Sequence, residues 1–402
     1  MTTIWTDRLS TGARNMTSSA IRDLLKVTEQ PDVISFAGGL PSPDCFPTEE
    51  LTAAAERVLV EKPLAALQYG PTEGYRPLRE FLVTLMQGRG LSLPSDQLLT
   101  LNGSQQGLDS VAKLLVDEGA VVLVEEPTYL GALQAFRPYG PKFISLPMDE
   151  DGLKIEALEQ ALKSGARPRF LYLVSCFQNP TGITPSPERK RAILEVASRY
   201  GLPIVEDDPY GELFYEGTRP PILAAMDAEM HGELRHVIYL STFSKLLAPG
   251  LRVGWVAAPK DLVSKFVQAK QGLDLHTGSL SQAVAYEVCR DGLLDRHVPT
   301  IRATYHARRD AMLAALEQQM PSGVTWTRPR GGMFLWLTLP VGVDAATLLQ
   351  ASLEQKVAFV PGASFHANGG GGNTMRLNFS HSAPERIAEG VSRLAQSLAA
   401  LL

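Results

Sequence analysis

The chain has 402 residues, 45% of them hydrophobic and 20% charged. This is globular composition, too apolar for a disordered chain and long enough for two or three domains of roughly 150 residues each. Lys plus Arg number 38 against 43 Asp plus Glu, a formal charge of −5, which argues against a nucleic-acid protein with its basic footprint. Cys45, Cys176 and Cys289 are far apart and form no CxxC pair. They predict small buried residues in a reducing cytoplasm, with neither a disulfide framework nor a metal site. The opening MTTIWTDRLSTGARN lacks the apolar run of a secretory leader, and no stretch reaches the ~18 apolar residues of a membrane span.

In chain order, residues 1–45 read as an arm with one helix over 17–29. Strands follow at 97–101, VVLVEE (121–126), FLYLVS (170–175), PIVED (203–207) and VIYLST (237–242). Their near-continuous hydrophobicity predicts a parallel sheet covered on both faces. Between them, 103–117 carries Leu108, Val111, Ala112 and Leu115 on one helical stripe, with Gly119 as the stop. A second helix, 187–200, opens on Pro187-Glu188 and repeats apolar positions at Ile193, Val196 and Ala197. The alternation predicts right-handed crossovers and an α/β fold, a large domain over 46–290 with a mostly parallel, helix-covered sheet. After residue 290 a long helix, 293–319, leads to GGMFLWLTL (331–339), a further helix, VAFVPG (357–362), TMRLNFS (374–380) and a last helix, 383–401. This predicts a smaller α+β domain over 291–402, packed by the arm, with Gly369 to Gly372 as a surface loop. There is no Walker loop, HExxH, GxSxG or strand-borne GxGxxG, which disfavours P-loop NTPases, zinc proteases, serine hydrolases and nicotinamide dehydrogenases.

In open α/β sheets ligands sit beyond the carboxyl ends of the strands, so the residues just after each strand carry the functional signal. After 97–101 come Asn102, Gly103, Ser104 and Gln105, small residues entering a helix whose free N–H groups suit a phosphate. After 121–126 comes Tyr129, placed to lie on a planar ring. After 170–175 comes Asn179-Pro180, a candidate cis peptide that would fix the asparagine amide. Asp207 and Asp208 end an apolar strand, where a carboxylate needs a cation or donors, and Tyr210 follows. Thr242, Ser244 and Lys245 end the next strand, with Arg252 seven residues beyond the lysine. A partly desolvated amine there titrates low and attacks carbonyls. Taken singly, each has a plainer reading: a helix cap, a packed tyrosine, a simple turn, capping aspartates, a surface lysine. Taken in order, they match the needs of pyridoxal 5'-phosphate, an aldehyde-bearing pyridine that takes a lysine, an acid on its ring nitrogen and a phosphate cup.

The ordered set NGSQQGLD, PTY, QNPTG, EDDPY, STFSK, GLRVGW and MRLNFS resembles the fold-type I pyridoxal-phosphate-dependent aminotransferases of class I and II, over most of the chain. SFAGGLPSPDCFP, QYGPTEGYRPLRE, QAKQGLDLHT and RPRGGMFLW are similar to the 2-aminoadipate aminotransferase and kynurenine aminotransferase II branch. The resemblance implies that Lys245 is the Schiff-base lysine and proton carrier. It implies that Asp207, three residues before Tyr210, pairs with the ring nitrogen in preference to Asp208. Tyr210 and Asn179 would donate to the ring hydroxyl, and Tyr129 would stack. Ser104, Gln105, Thr242, Ser244 and Arg252 would hold the phosphate, joined by Tyr69 from the partner of a homodimer. Arg376 would clamp the substrate α-carboxylate, with Gly39 beside it. Arg22, on the first helix, would meet the distal carboxylate of 2-aminoadipate or glutamate, or swing aside for leucine-like or aromatic side chains, with 2-oxoglutarate as acceptor. A cytoplasmic ping-pong aminotransferase in lysine biosynthesis or amino-acid degradation is the expectation. The alternatives are a decarboxylase or β-lyase on the same fold, a ligand-sensing module, or a protein with a dead site.

Overall fold

The computed structural model describes residues 4–17 and 32–402. The helix expected over 17–29, with Arg22, therefore falls outside the described residues save for residue 17. After the arm comes strand β1 (Ile34–Ser35). The main sheet then collects β2 (Leu98–Leu101), β3 (Val121–Glu126), β4 (Lys142–Asp149), β5 (Gly152–Leu153), β6 (Phe170–Leu173), β7 (Ile204–Asp207), β8 (Val237–Thr242) and β9 (Gly254–Ala257). Their spatial order is β2-β9-β8-β7-β6-β3-β4-β5.

The strands are apolar on both sides because both sides are covered. Leu99, Leu101, Val122, Val124, Phe170, Tyr172, Val205, Ile238, Leu240 and Val256 join one core. Their neighbours Leu98, Leu123, Leu171, Leu173, Ile204, Val237, Tyr239 and Trp255 join another. A period of two divides each strand between the two layers.

Direction is what gathers the functional residues. Strands β8, β7, β6, β3 and β4 are mutually parallel. Both β2 and β8 run antiparallel to β9, so β2 points the same way as β8. The carboxyl ends of β2, β3, β6, β7 and β8, and the start of β9 with the preceding Arg252, thus share one edge.

A smaller antiparallel sheet holds β10 (Thr325–Trp326), β11 (Phe334–Thr338), β13 (Val360–Pro361) and β14 (Thr374–Asn378) in the order β10-β11-β14-β13. The run VAFVPG, expected as one strand, is two: β12 (Val357–Ala358) pairs with β1, and β13 pairs with β14. Pro361 has no N–H to carry a ladder further. The helix Leu293–Gln319, 27 residues and about 40 Å at 1.5 Å per residue, packs along the last helix, Pro384–Ala399. The proposed division near residue 290 falls between Cys289, which ends one helix, and Leu293, which starts this one.

Gly254 marks the closest approach of sheet and loop. A Cβ there would stand 2.8 Å from Gly103 C, Ser104 N and Ser241 O, all backbone atoms that cannot swing aside. Gly254→Ala is therefore expected to destabilise by about 1–3 kcal/mol through overpacking, read as a lowered thermal midpoint; an unchanged midpoint would contradict the packing described.

Candidate active site

At the end of β2, Gly103 turns the chain at φ +78° and stands as N-cap of the helix Ser104–Leu115, which no side chain caps. The plain helix-cap reading of Asn102 and Ser104 is thereby removed. The N–H groups of Ser104 and Gln105, aligned with the positive helix end, stay available for an anion, while that of Gln106 bonds Gly103 O at 3.2 Å. Asn102 is engaged on the other side. Asn102 Nδ2 and Gln106 Nε2 each donate to Asp274 Oδ2 at 2.6 Å. The buried Lys270 Nζ donates to both Asp274 oxygens at 3.0 Å and to Gln106 Oε1 at 2.7 Å. Gln105 Nε2 donates to Gly131 O at 2.9 Å. Arg252, in the left-handed region at φ +54°, donates to Asn102 O at 3.2 Å and lies against Gly103, where a Cβ would come within 2.5 Å of its Nη2. Thr242 Oγ1 accepts from Ser244 N at 3.1 Å and shares a 2.8 Å hydrogen bond with Ser244 Oγ. Three neighbouring strands thus surround one small space with hydroxyls, amides and a guanidinium.

The two adjacent aspartates divide sharply. Asp208 is saturated: Arg89 Nη2 and Tyr239 OH reach its Oδ2 at 2.9 Å, and Gly211 N reaches its Oδ1 at 2.9 Å. Asp207, at the end of β7, accepts from Tyr172 OH on Oδ2 at 3.1 Å. Its Oδ1 is buried and has no hydrogen-bond partner among the described residues. Burial, aided by the charges of Asp208 and Glu206, pushes the Asp207 carboxyl up to about 7. Such a group is left wanting a cation.

Lys245 Nζ donates to Gly39 O at 2.8 Å. Burial, then the positive charges of Arg376 and Arg252, lower its amine to about 8. Arg376, on β14, is buried. It donates to Asn179 Oδ1 at 2.9 Å and Ala37 O at 2.5 Å, and its guanidinium carbon sits 4.3 Å from the Phe334 ring centre. Its Nε has no partner among the described residues, and burial lowers the guanidinium to about 10. Asn179 Nδ2 reaches Tyr210 OH at 3.4 Å. The Asn179–Pro180 bond is cis, and so is Glu126–Pro127 just before Tyr129. Tyr129 is pushed up to about 12 by burial and by the nearby Asp207 charge. Gln178 braces this corner: its Nε2 donates to Glu125 Oε2 at 3.1 Å and to Pro127 O at 2.8 Å, and its Oε1 accepts from Thr181.

Compared with known proteins, residues 32–394 match the model of the family Aminotransferase class I and II. The chain belongs to the class I and II aminotransferases. This aminotransferase is 49% identical to a 2-aminoadipate transaminase of Thermus thermophilus, over 99% of its own length and 98% of the relative's. It is 45% identical to aromatic-amino-acid aminotransferase 1 of Thermococcus litoralis, over 96% and 93%. Among solved structures it superposes with TM-score 0.93 and 45% identity on a Thermus thermophilus α-aminoadipate aminotransferase complexed with N-(5'-phosphopyridoxyl)-L-leucine, covering 99% of this chain and 100% of that one.

The aminotransferase cleft fits a phosphorylated pyridine aldehyde. An unpaired buried carboxylate oxygen suits a protonated ring nitrogen, an uncapped helix start with Arg252 suits a phosphate, and a depressed amine suits the aldehyde. The residues singled out from sequence fall as follows. Lys245, Arg376, Arg252, Tyr129, Tyr210 and Asp207 are near enough to perturb one another's charges. Ser104, Thr242 and Ser244 lie at the same sheet edge, and Gly39 meets the lysine. Tyr69 is 80% exposed, edge-on to His276. Sequence reasoning missed Tyr172, Glu125, Gln178 and the Lys270–Asp274 pair. The polar atoms inside apolar strands, in FLYL and VVLVEE, were the available signal.

A lowered lysine is neutral over more of the working pH range, since its reactive fraction rises as pH passes its pKa. In cofactor-free protein, competitive acylation read by mass spectrometry is expected to modify Lys245 with a midpoint near pH 8. Exposed lysines should titrate near ~10.4, and the same midpoint for Lys245 would contradict the site's electrostatics.

Proposed function

We propose that this enzyme moves the amino group of a 2-amino acid to a 2-oxo acid such as 2-oxoglutarate, in two half-reactions of ping-pong order. 2-Aminoadipate or glutamate is the preferred donor, and leucine-like and aromatic amino acids are further substrates. The observation that carries the reading is Arg376, a buried guanidinium bonded to Asn179 and coupled in charge to the depressed amine of Lys245. Such a pair grips an α-carboxylate and presents its Cα–H to a base.

The cofactor is pyridoxal 5'-phosphate, which when bound supplies an aldehyde that takes up the amino group and a cationic ring that draws electrons from Cα. Asp207 Oδ1 would face the ring nitrogen, and its negative charge keeps a proton there. Tyr210 and Asn179 would serve the ring hydroxyl, and Tyr129 the ring face. The helix start at Ser104 and Gln105, with Thr242, Ser244 and Arg252, would hold the phosphate. Lys245 Nζ moves the proton of substrate Cα. Arg376, near Gly39, orients that bond.

The substrate preference is supported by the 2-aminoadipate and aromatic-amino-acid relatives and by the leucine adduct held by the Thermus protein. Arg22 is proposed to meet a distal carboxylate. A homodimer, with Tyr69 completing the partner's phosphate site, is supported by exposed apolar side chains near it: Val60 at 73%, Leu64 at 77% and Leu67 at 70%. Three free cysteines suit the cytoplasm, and among the described residues no helix is long and apolar enough to cross a membrane.

Half-reaction kinetics over a panel of amino acids test this. Lys245→Ala is expected to lower transamination of every substrate by at least about 100-fold. Arg22→Ala is expected to lose 2-aminoadipate and glutamate by about tenfold or more, with leucine little changed. Equal losses for leucine and 2-aminoadipate would remove Arg22 from specificity, and release of CO₂ or pyruvate without amino transfer would overturn the reaction proposed.

A further inference from the structure

The opposite edge of the sheet carries a second cluster of coordinating groups. The helix Leu223–His231 brings Asp227 and His231 onto one face, four residues apart. The turn from Gly232 to Arg235 then returns His236 to the same point, immediately before β8. Asp227 Oδ1 lies 3.1 Å from His231 Nδ1 and 3.1 Å from His236 Nδ1. The three donor atoms all fall within 4.8 Å of one another. Two donors each about 2.1 Å from an ion at a tetrahedral angle stand about 3.4 Å apart, which the two 3.1 Å separations to Asp227 Oδ1 approach, and the two imidazoles need only close within their 4.8 Å limit.

The surroundings orient these donors as the outer shell of a metal site does. Asp227 is fully buried, and its other oxygen, Oδ2, accepts N–H groups of Arg235, His236 and Val237 at 2.7, 2.8 and 3.3 Å. That fixes the carboxylate and leaves Oδ1 turned to the imidazoles. His231 Nε2 lies 3.3 Å from Ser198 Oγ, a hydroxyl that can accept from Nε2–H when Nδ1 carries the lone pair. The alternative proton placement, Nδ1–H donating to the Asp227 backbone O at 3.0 Å, is the one that a metal must displace. The two imidazoles keep 13% and 12% of their side-chain surface open, an entry path for an ion and its waters.

We propose that Asp227, His231 and His236 bind one borderline divalent transition-metal ion, of the Zn²⁺ or Co²⁺ class, through Oδ1 and the two Nδ1 atoms. Two imidazoles and one carboxylate select such ions over Mg²⁺ and Ca²⁺, which prefer oxygen. This departs from the expectation of no metal, which weighed cysteines and the HExxH pattern; the spacing here is Asp-x3-His-x4-His. The site lies at the start of β8, whose far end leads to Lys245 roughly 20 Å away along the strand. Its ion would staple helix to strand and stabilise the folded chain by mass action, without touching the cleft.

The test is calorimetric titration of chelator-treated holoenzyme with Co²⁺. Saturable binding of one ion per chain is expected, with a thermal midpoint that rises with Co²⁺. His231→Ala and His236→Gln should each weaken that binding by about tenfold or more and leave transamination unchanged. His236→Gln retains a hydrogen-bonding side chain beside Asp227, so it decides the question if His231→Ala fails to fold. No saturable binding by the wild-type chain, or affinity retained in the variants, would overturn the site.

Discussion

A carboxylate that is buried and only half satisfied organises this cleft. Asp207 sits where β7 runs out, its Oδ2 taken by Tyr172 and its Oδ1 without a partner among the described residues. Water is excluded from it, so its charge is opposed by burial, and the carboxyl is pushed up to about 7. An opposite charge arriving within hydrogen-bond reach reverses that opposition. Everything else in the cleft is arranged around the ligand that would bring such a charge.

The neighbouring residues divide the electrostatic work. Asp208, one position on, is fully paired with Arg89, Tyr239 and Gly211, so it is a structural anion. Glu206, facing the other core, accepts the first N–H groups of the helix Leu223–His231. These two hold the strand end in place while Asp207 is left with spare bonding capacity. Across the cleft the excess is positive: burial depresses Lys245, and the charges of Arg376 and Arg252 add to it. Negative charge beside a ring nitrogen and positive charge around a phosphate and a carboxylate is the arrangement that a zwitterionic ligand with an anionic tail requires.

Much of this is legible in one sequence, for a physical reason. Strands buried on both faces must be continuously apolar, so VVLVEE, FLYLVS and VIYLST announce themselves, and the polar residues that break them lie at the functional edge. The helix Leu293–Gln319 was readable as one long stretch although Pro299 lies inside it. Partners distant in sequence were not readable. Tyr172 gives no sign that it meets Asp207 on the next strand, nor Gln178 that it bonds Glu125 and Pro127. VAFVPG reads as one strand but serves two, since Val357 and Val360 find ladders in different sheets. Asp227, His231 and His236 were likewise invisible, because a helix and a turn bring them together while no familiar spacing marks them.

The central claim is that Asp207 holds a proton on the cofactor's ring nitrogen. Nitrogen-15 magnetic resonance on protein reconstituted with ring-labelled pyridoxal 5'-phosphate measures this directly. The account predicts a pyridinium shift at every pH where the protein is folded, and a neutral pyridine shift when Asp207→Asn removes the carboxylate. A neutral pyridine in the unmodified protein, or a pyridinium that persists in the variant, would contradict it.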